Sequence, residues 1–261
     1  MLGERLMNII TESEIYEGIP TLLFYVENSR NNPLVVICHG FNNDKYEGSK
    51  IALKLCQEGF TVLCFDIDRH GGRYDGFMEL IDSDTKFGTE LFRILENTHN
   101  DIHKLLEVMS KHDAVNSDEI GLVGISHGAN ICNYELAHNS KIKVCVSLLG
   151  TPNFEDQIVY SMEKESVDDF SSVEEKKLLQ YVQALDPRNH FMDKNIICSW
   201  LLINGSKDDD VPSRFSESFY NENKYNYNGI IDLIIEDEFH HVSEGMINST
   251  IKWMKKYLLN D

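Results

Sequence analysis

The chain reads as an α/β protein, a mostly parallel central sheet with helices on both faces, on three observations. Apolar runs of strand length alternate with helical patterns through most of its 261 residues. The pentapeptide Gly124-Ile125-Ser126-His127-Gly128 stands directly after the apolar run 120–123 and directly before a helical pattern over 129–138, which is the order strand, sharp turn, helix. At 42% hydrophobic content, with no stretch rich enough in Pro, Gly or Ser to act as a linker, the whole of 1–261 is expected to form a single domain around a full core.

Residues 6–16 and 21–26 are expected to form a hairpin around Gly18-Ile19-Pro20, and 34–38 a buried β-branched strand. A helix follows near 49–58, stopped by Gly59, and then a strand at 61–66. The stretch 87–111 carries Leu91, Ile94, Leu95, Ile102, Leu105, Leu106 and Met109 at helical spacing, long enough to cross from one strand to the next. A strand at 119–123, the helix after Ser126 and a strand at 143–148 continue the alternation, and such units imply parallel pairing.

From 151 to 195 the rhythm breaks. Glu163-Lys164-Glu165, Asp168-Asp169 and Glu174-Glu175-Lys176-Lys177 surround Met162, Phe170, Leu178, Leu179 and Val182, which predicts two or three short acidic helices, a small helical cap inserted at about 152–195. A strand at 198–203, a helix near 212–221, a strand at 230–235 and an amphipathic helix at 243–259 complete the chain.

Composition excludes several classes. A formal net charge of -19 makes the surface anionic and disfavours nucleic acid or an anionic membrane as partner. No apolar stretch approaches the ~20 residues of a membrane span, and the first residues lack a basic segment followed by an apolar signal core, so a soluble cytoplasmic protein is expected. The six cysteines have no CxxC spacing, and Cys38, Cys64, Cys145 and Cys198 lie in strand-like runs where a thiol behaves as a small hydrophobe. His70, His99, His103 and His112 lack a companion Cys or HExxH spacing, and the pair His99 and His103, on one helical face, reads as surface. No G-x-G-x-x-G follows an early strand. Neither a metal nor a cofactor is expected.

A serine hydroxyl becomes a nucleophile only when a base takes its proton, and the base needs a third group to orient it. Both are present in chain order: Asp208 follows the strand at 198–203, and Phe239-His240-His241-Val242 follows the strand at 230–235.

With Cys38-His39-Gly40-Phe41, the pentapeptide, Gly205-Ser206-Lys207-Asp208 backed by Val211-Pro212, and His240 ahead of the last helix, nearly the whole chain resembles the α/β-hydrolase superfamily. Arg69-His70-Gly71-Gly72-Arg73, the junction 147–153 and His240-His241-Val242 are similar, more narrowly, to small bacterial esterases related to the catalytic domain of prolyl oligopeptidases. The propeller of the oligopeptidases has no counterpart in the residues ahead of the first parallel strand.

The resemblance implies Ser126 as nucleophile, His240 as base and Asp208 as acid, with the backbone N–H groups of Phe41 and His127 as the oxyanion hole. Asp208 is preferred to Asp209 and Asp210 because it is third after Gly205, while Asp210 before Val211-Pro212 suits the positive end of a helix. His240 is preferred to His241 on the His-x-Val spacing, and its neighbours Glu236, Asp237 and Glu238 read first as an exposed charge run, with a raised His240 pKa as the alternative. His39 reads as structural. The implied activity is cleavage of small carboxylic esters through an acyl-enzyme, carboxylesterase-like and without a cofactor, on a small acyl ester substrate. An amidase or peptidase and a thioesterase are alternatives on the same triad, and a non-catalytic hydrolase-like binding protein is the alternative of another class.

Overall fold

The apolar runs pair into one sheet in the structure, a computed structural model that describes residues 7–164, 172–191 and 197–259. Its eight strands are β1 (Ile9–Tyr16), β2 (Ile19–Val26), β3 (Asn32–Cys38), β4 (Thr61–Phe65), β5 (Val115–Ile125), β6 (Ile142–Leu148), β7 (Ser199–Gly205) and β8 (Ile230–Glu236). In space they run β1-β2-β4-β3-β5-β6-β7-β8. The pairs β1·β2 and β2·β4 are antiparallel, and every pair from β4·β3 to β7·β8 is parallel. The expected α/β architecture is therefore the observed one.

The helices are α1 (Ser49–Gln57), α2 (Asp84–Met109), α3 (His127–His138), α4 (Phe154–Lys164), α5 (Val173–Leu185), α6 (Arg188–Phe191), α7 (Arg214–Asn223) and α8 (Glu244–Leu258). Successive residues of the central strands are buried on opposite faces, as a sheet covered on both sides requires. Val36, Cys38 and Leu122 pack with Leu95 and Ile102 of α2, Ile131 of α3 and Leu178 of α5. Val35, Ile37 and Val123 pack on the other face with Ile51 and Leu55 of α1 and Ile247 and Met254 of α8.

Several boundaries differ from the sequence expectation, most of them for a local reason. The hairpin turns on Glu17 and Gly18, both at positive φ (52° and 79°), a mirror-image turn that suits the twist of the strands, so Ile19 and Pro20 belong to β2. Leu6 lies outside the described residues and β1 begins at Ile9. β5 begins at Val115, because Asn32 pairs with it across a register shift at Pro33/Leu34. α2 begins at Asp84, because the Ser83 hydroxyl accepts the Lys86 N–H and caps it.

Between β6 and β7 lie α4, α5 and α6. Ser172 and Glu175 form a capping box at the start of α5, and Ile158 and Met162 of α4 join Leu178 and Val182 of α5 in the core cluster that α2 also enters. Asp168, Asp169 and Phe170 lie outside the described residues. All six cysteines are buried free thiols. Among the described residues no helix is long and apolar enough to cross a membrane.

Candidate active site

β5 ends at Ile125, and the chain reverses at Ser126 with φ 53° and ψ -117°, a conformation a non-glycine residue holds only when its surroundings fix it. Two glycines make this possible. A Cβ on Gly124 would lie 2.3 Å from the Gly128 carbonyl oxygen, and one on Gly128 would lie 2.2 Å from that of Cys38. Ser126 N–H donates to Leu148 O at 2.8 Å, anchoring the turn to the neighbouring strand.

Asp208 and His240 come from the loops after β7 and β8. These loops are tied by Ser206 N–H to Glu236 O (2.7 Å) and Lys207 N–H to Glu238 O (2.9 Å). His240 Nδ1 is 2.7 Å from Asp208 Oδ2, and His240 Nε2 is 2.8 Å from Ser126 Oγ. With the Nδ1 proton held by the carboxylate, Nε2 presents a lone pair to the serine hydroxyl. The other Asp208 oxygen accepts the N–H groups of Asp210 (2.9 Å) and Val211 (2.8 Å), so the fully buried carboxylate is fixed at both ends.

Burial pulls the His240 pKa down, but its hydrogen bond to Asp208 and the negative charges of Asp208, Asp210 and Glu47 outweigh it, and the pKa is raised above the ordinary 6.5. The carboxylates responsible differ from those adjacent in sequence. Glu236 accepts from Ser243 Oγ, Asp237 pairs with Lys207, and Glu238 pairs with His241, so each is engaged elsewhere. Asp210 lies ahead of α7 and its carboxylate faces Lys164 at 3.8 Å instead of capping a helix.

Phe41 and His127 line the same cavity as Ser126 and His240. As the first residue of α3, His127 has a backbone N–H without an intrahelical acceptor, and the Phe41 N–H likewise donates to no group among the described residues. The Phe41 ring stacks edge-on against His70, Phe87 and His127. His39 is structural: Nδ1 contacts Gly40 O at 2.8 Å, Nε2 accepts the Ile67 N–H at 3.1 Å, and burial lowers its pKa to about 4.

Two positioning carboxylates carry no sequence pattern. Glu47 accepts the N–H of Gly40 (2.6 Å) and the Asn43 amide (2.6 Å), bracing the loop that ends in Phe41. Burial raises its own pKa. Asp66, fully buried, accepts from Lys45 N–H (2.8 Å), Lys45 Nζ (3.0 Å) and Gly72 N–H (2.8 Å), and so joins the loops after β3 and β4. A lone carboxylate in a turn-rich loop looks solvated in sequence, and only the tertiary fold shows what it holds.

Two cavities meet at Ser126. One, of about 370 Å³, is walled by Phe41, Phe87, Leu91, Phe92 and Phe154, with Asn130 and Gln157 hydrogen-bonded to each other at its side. The other, of about 380 Å³, is mixed: Asn43, Glu47, Lys50 and His241 share its wall with Ile51, Leu149, Val242 and Ile247. The grouping of Asp208, Asp210 and His240 also offers three metal-capable ligand atoms, but both Asp208 oxygens are taken up, one by His240 and the other by the backbone N–H groups of Asp210 and Val211.

Residues 103–224, which include Ser126 and Asp208, match the family profile described as BAAT / Acyl-CoA thioester hydrolase C terminal. The protein YitV of Bacillus subtilis, whose name assigns it provisionally to the esterases, is 27% identical over 258 residues, spanning 95% of this chain and 98% of that protein. Among solved structures, the protein TT1662 of Thermus thermophilus superposes with a TM-score of 0.76 at 20% identity, over 97% of this chain and 99% of that one. The acylaminoacyl peptidase of Pyrococcus horikoshii superposes with a TM-score of 0.71 at 16% identity, over 97% of this chain and 42% of the peptidase. These structural likenesses are likenesses of fold.

Proposed function

We propose that this chain, a hydrolase with the α/β-hydrolase fold and esterase relatives, cleaves small carboxylic esters through an acyl-enzyme formed on Ser126. One observation carries the reading: the unbroken chain from Ser126 Oγ through the His240 imidazole to the buried Asp208 carboxylate, with links of 2.8 and 2.7 Å.

In this reading His240 Nε2 takes the Ser126 proton as Oγ attacks the acyl carbonyl, and Asp208 holds the resulting imidazolium. The N–H groups of Phe41 and His127 receive the oxyanion, with Glu47 fixing the peptide ahead of Phe41. The tetrahedral intermediate expels the alcohol, which takes the proton from His240. Water then enters and gives a proton to His240 as its oxygen bonds to the acyl carbon; the second tetrahedral intermediate breaks the bond to Ser126 Oγ, which recovers the proton from His240 as the acid leaves. The apolar cavity suits a short acyl chain, and the mixed one, which carries Asn43, Glu47 and Lys50, suits the leaving group.

Thioester cleavage on the same residues is the second reading, and the family profile over residues 103–224 favours it. Against a coenzyme-A thioester stands the formal charge of -19, which repels a polyanionic leaving group. Intact-mass measurement after a fluorophosphonate probe, followed by matched aryl esters and acyl-CoA thioesters, tests both. A single adduct lost in Ser126→Ala supports the serine mechanism, and an unlabelled wild-type protein overturns it. Faster turnover of the thioesters gives the second reading preference.

A further inference from the structure

On the flank of the sheet away from the triad, we infer that α2 and α3 carry a binding site for one divalent transition metal of the zinc class, formed by His99, His103 and Glu135. His99 and His103 are one helical turn apart on α2, with ring centroids 4.7 Å from each other, and both face Glu135 on α3. His99 Nδ1 hydrogen-bonds one carboxylate oxygen of Glu135, and His103 Nε2 lies 3.5 Å from the other. One donor atom from each residue falls within 4.8 Å of the other two.

The electrostatics of Glu135 point to a cation. Its side chain has no solvent exposure, and no Lys or Arg reaches it among the described residues; its ion-pair partners there are the two imidazoles. Imidazoles are not permanent cations, and a buried carboxylate without a counter-charge is costly. A dication held by the carboxylate and two imidazole lone pairs supplies that charge, exchanging the His99–Glu135 hydrogen bond for two bonds to the ion while the neutral His99 ring shifts its proton from Nδ1 to Nε2 by way of solvent. Two nitrogens and one oxygen form a zinc-type donor set, whereas calcium and magnesium take oxygen alone. A supporting layer is already in place: the Asn139 amide donates to Glu135 at 2.6 Å, and the rings of Tyr134 and His138 pack against His99 at 5.2 and 5.7 Å. His103, half exposed, leaves the remaining coordination position to water. The spacing of the histidines reads as surface in the sequence because the third ligand comes from a different helix.

The test is calorimetric titration of the chelator-treated full chain with zinc chloride, with cobalt chloride absorption as a second readout. One ion per chain at micromolar Kd or tighter is expected, with a Tm increase of about 5 °C at a hundredfold excess over Kd. His103→Ala, at an exposed position, should weaken binding at least tenfold while leaving the metal-free Tm within about 1 °C, and His240→Ala should leave the zinc isotherm unchanged. Absence of binding at 100 μM zinc (on the order of a weak surface contact), an isotherm indifferent to His103→Ala, or loss of binding in His240→Ala would each overturn the site.

Discussion

Glu47 Oε2 accepts the backbone N–H of Gly40 at 2.6 Å, and this one contact links an otherwise inconspicuous loop residue to both halves of the proposed chemistry. Through Gly40 it fixes the peptide that precedes the Phe41 N–H, and through its charge it helps raise the His240 pKa. The two effects separate by substitution. Glu47→Gln keeps an acceptor oxygen and removes the charge, so the acid limb of the kcat/KM profile should move to lower pH with a small loss at the plateau. Glu47→Ala removes both and should lower kcat about 10–100-fold, below the ~10²–10³ cost of losing an oxyanion donor outright. An unshifted acid limb in Glu47→Gln would remove Glu47 from the electrostatics of the base.

The triad itself has a ranking. Ser126→Ala should reduce ester turnover by at least about 10³-fold with Tm little changed, because only a hydroxyl is removed. Asp208→Asn should cost far more activity than Asp209→Asn or Asp210→Asn, since Asp208 alone contacts the imidazole ring. His240→Ala should be nearly inactive while His241→Ala, more than half exposed and paired with Glu238, should retain most turnover. Steady-state kinetics on a soluble aryl ester decide each comparison, and the opposite order at either pair would move the assignment by one residue.

The pH dependence of activity follows from the direction of the His240 shift. The base works neutral, and its pKa lies above 6.5, so kcat/KM should fall as pH decreases through an apparent pKa above that value. A limb centred below 6.5 would contradict the field of Asp208, Asp210 and Glu47.

Stability should respond to acid through other histidines. Burial lowers the pKa of His39 to about 4 and that of His127 to about 3. With folded values below the unfolded ~6.5, their contribution is fully present above pH 6.5 and is lost as pH falls toward 4 and 3, because the unfolded chain then binds more protons. Each buried histidine should cost about 1.4 kcal/mol per pH unit within that window. Urea unfolding at pH 7, 6 and 5 measures the slope, and a flat profile would show that these rings take up protons without unfolding.

The substrate range should follow the apolar cavity. Catalytic efficiency on aryl esters should peak at acyl chains on the order of two to six carbons, rising by ~0.8 kcal/mol per CH₂ until the wall is met. Ser161→Phe, which fills part of that cavity from α4, should move the optimum to shorter chains. An optimum unmoved by Ser161→Phe, or a preference for long-chain emulsions, would place the acyl group elsewhere.

The sequence displays most of what is local here and little of what is assembled. Gly124 and Gly128 announce the turn at Ser126 because a Cβ at either would strike backbone, a constraint written within five residues. The alternation of strand and helix is likewise legible, since residues buried on both faces leave continuous apolar runs. The carboxylates that act on His240 are not legible in the chain: Glu236, Asp237 and Glu238 stand beside it in sequence, yet it is Asp210 and Glu47, brought in from other loops, that share its field with Asp208. Asp66, which joins two loops, and Glu135, which faces α2 from α3, are equally unreadable, because their partners lie 21 and 36 residues away.

The two backbone hydrogen bonds between the loops after β7 and β8 continue the ladder past the strands that define it. Asp208 and His240 therefore stand on what is mechanically one piece. Thermal motion of the sheet edge carries acid and base together, so their separation is settled before any ligand arrives and only the serine rotamer remains to adjust. The reorganisation that a substrate of the proposed reaction would otherwise have to drive is thus completed during folding, in backbone contacts that stand behind the imidazole.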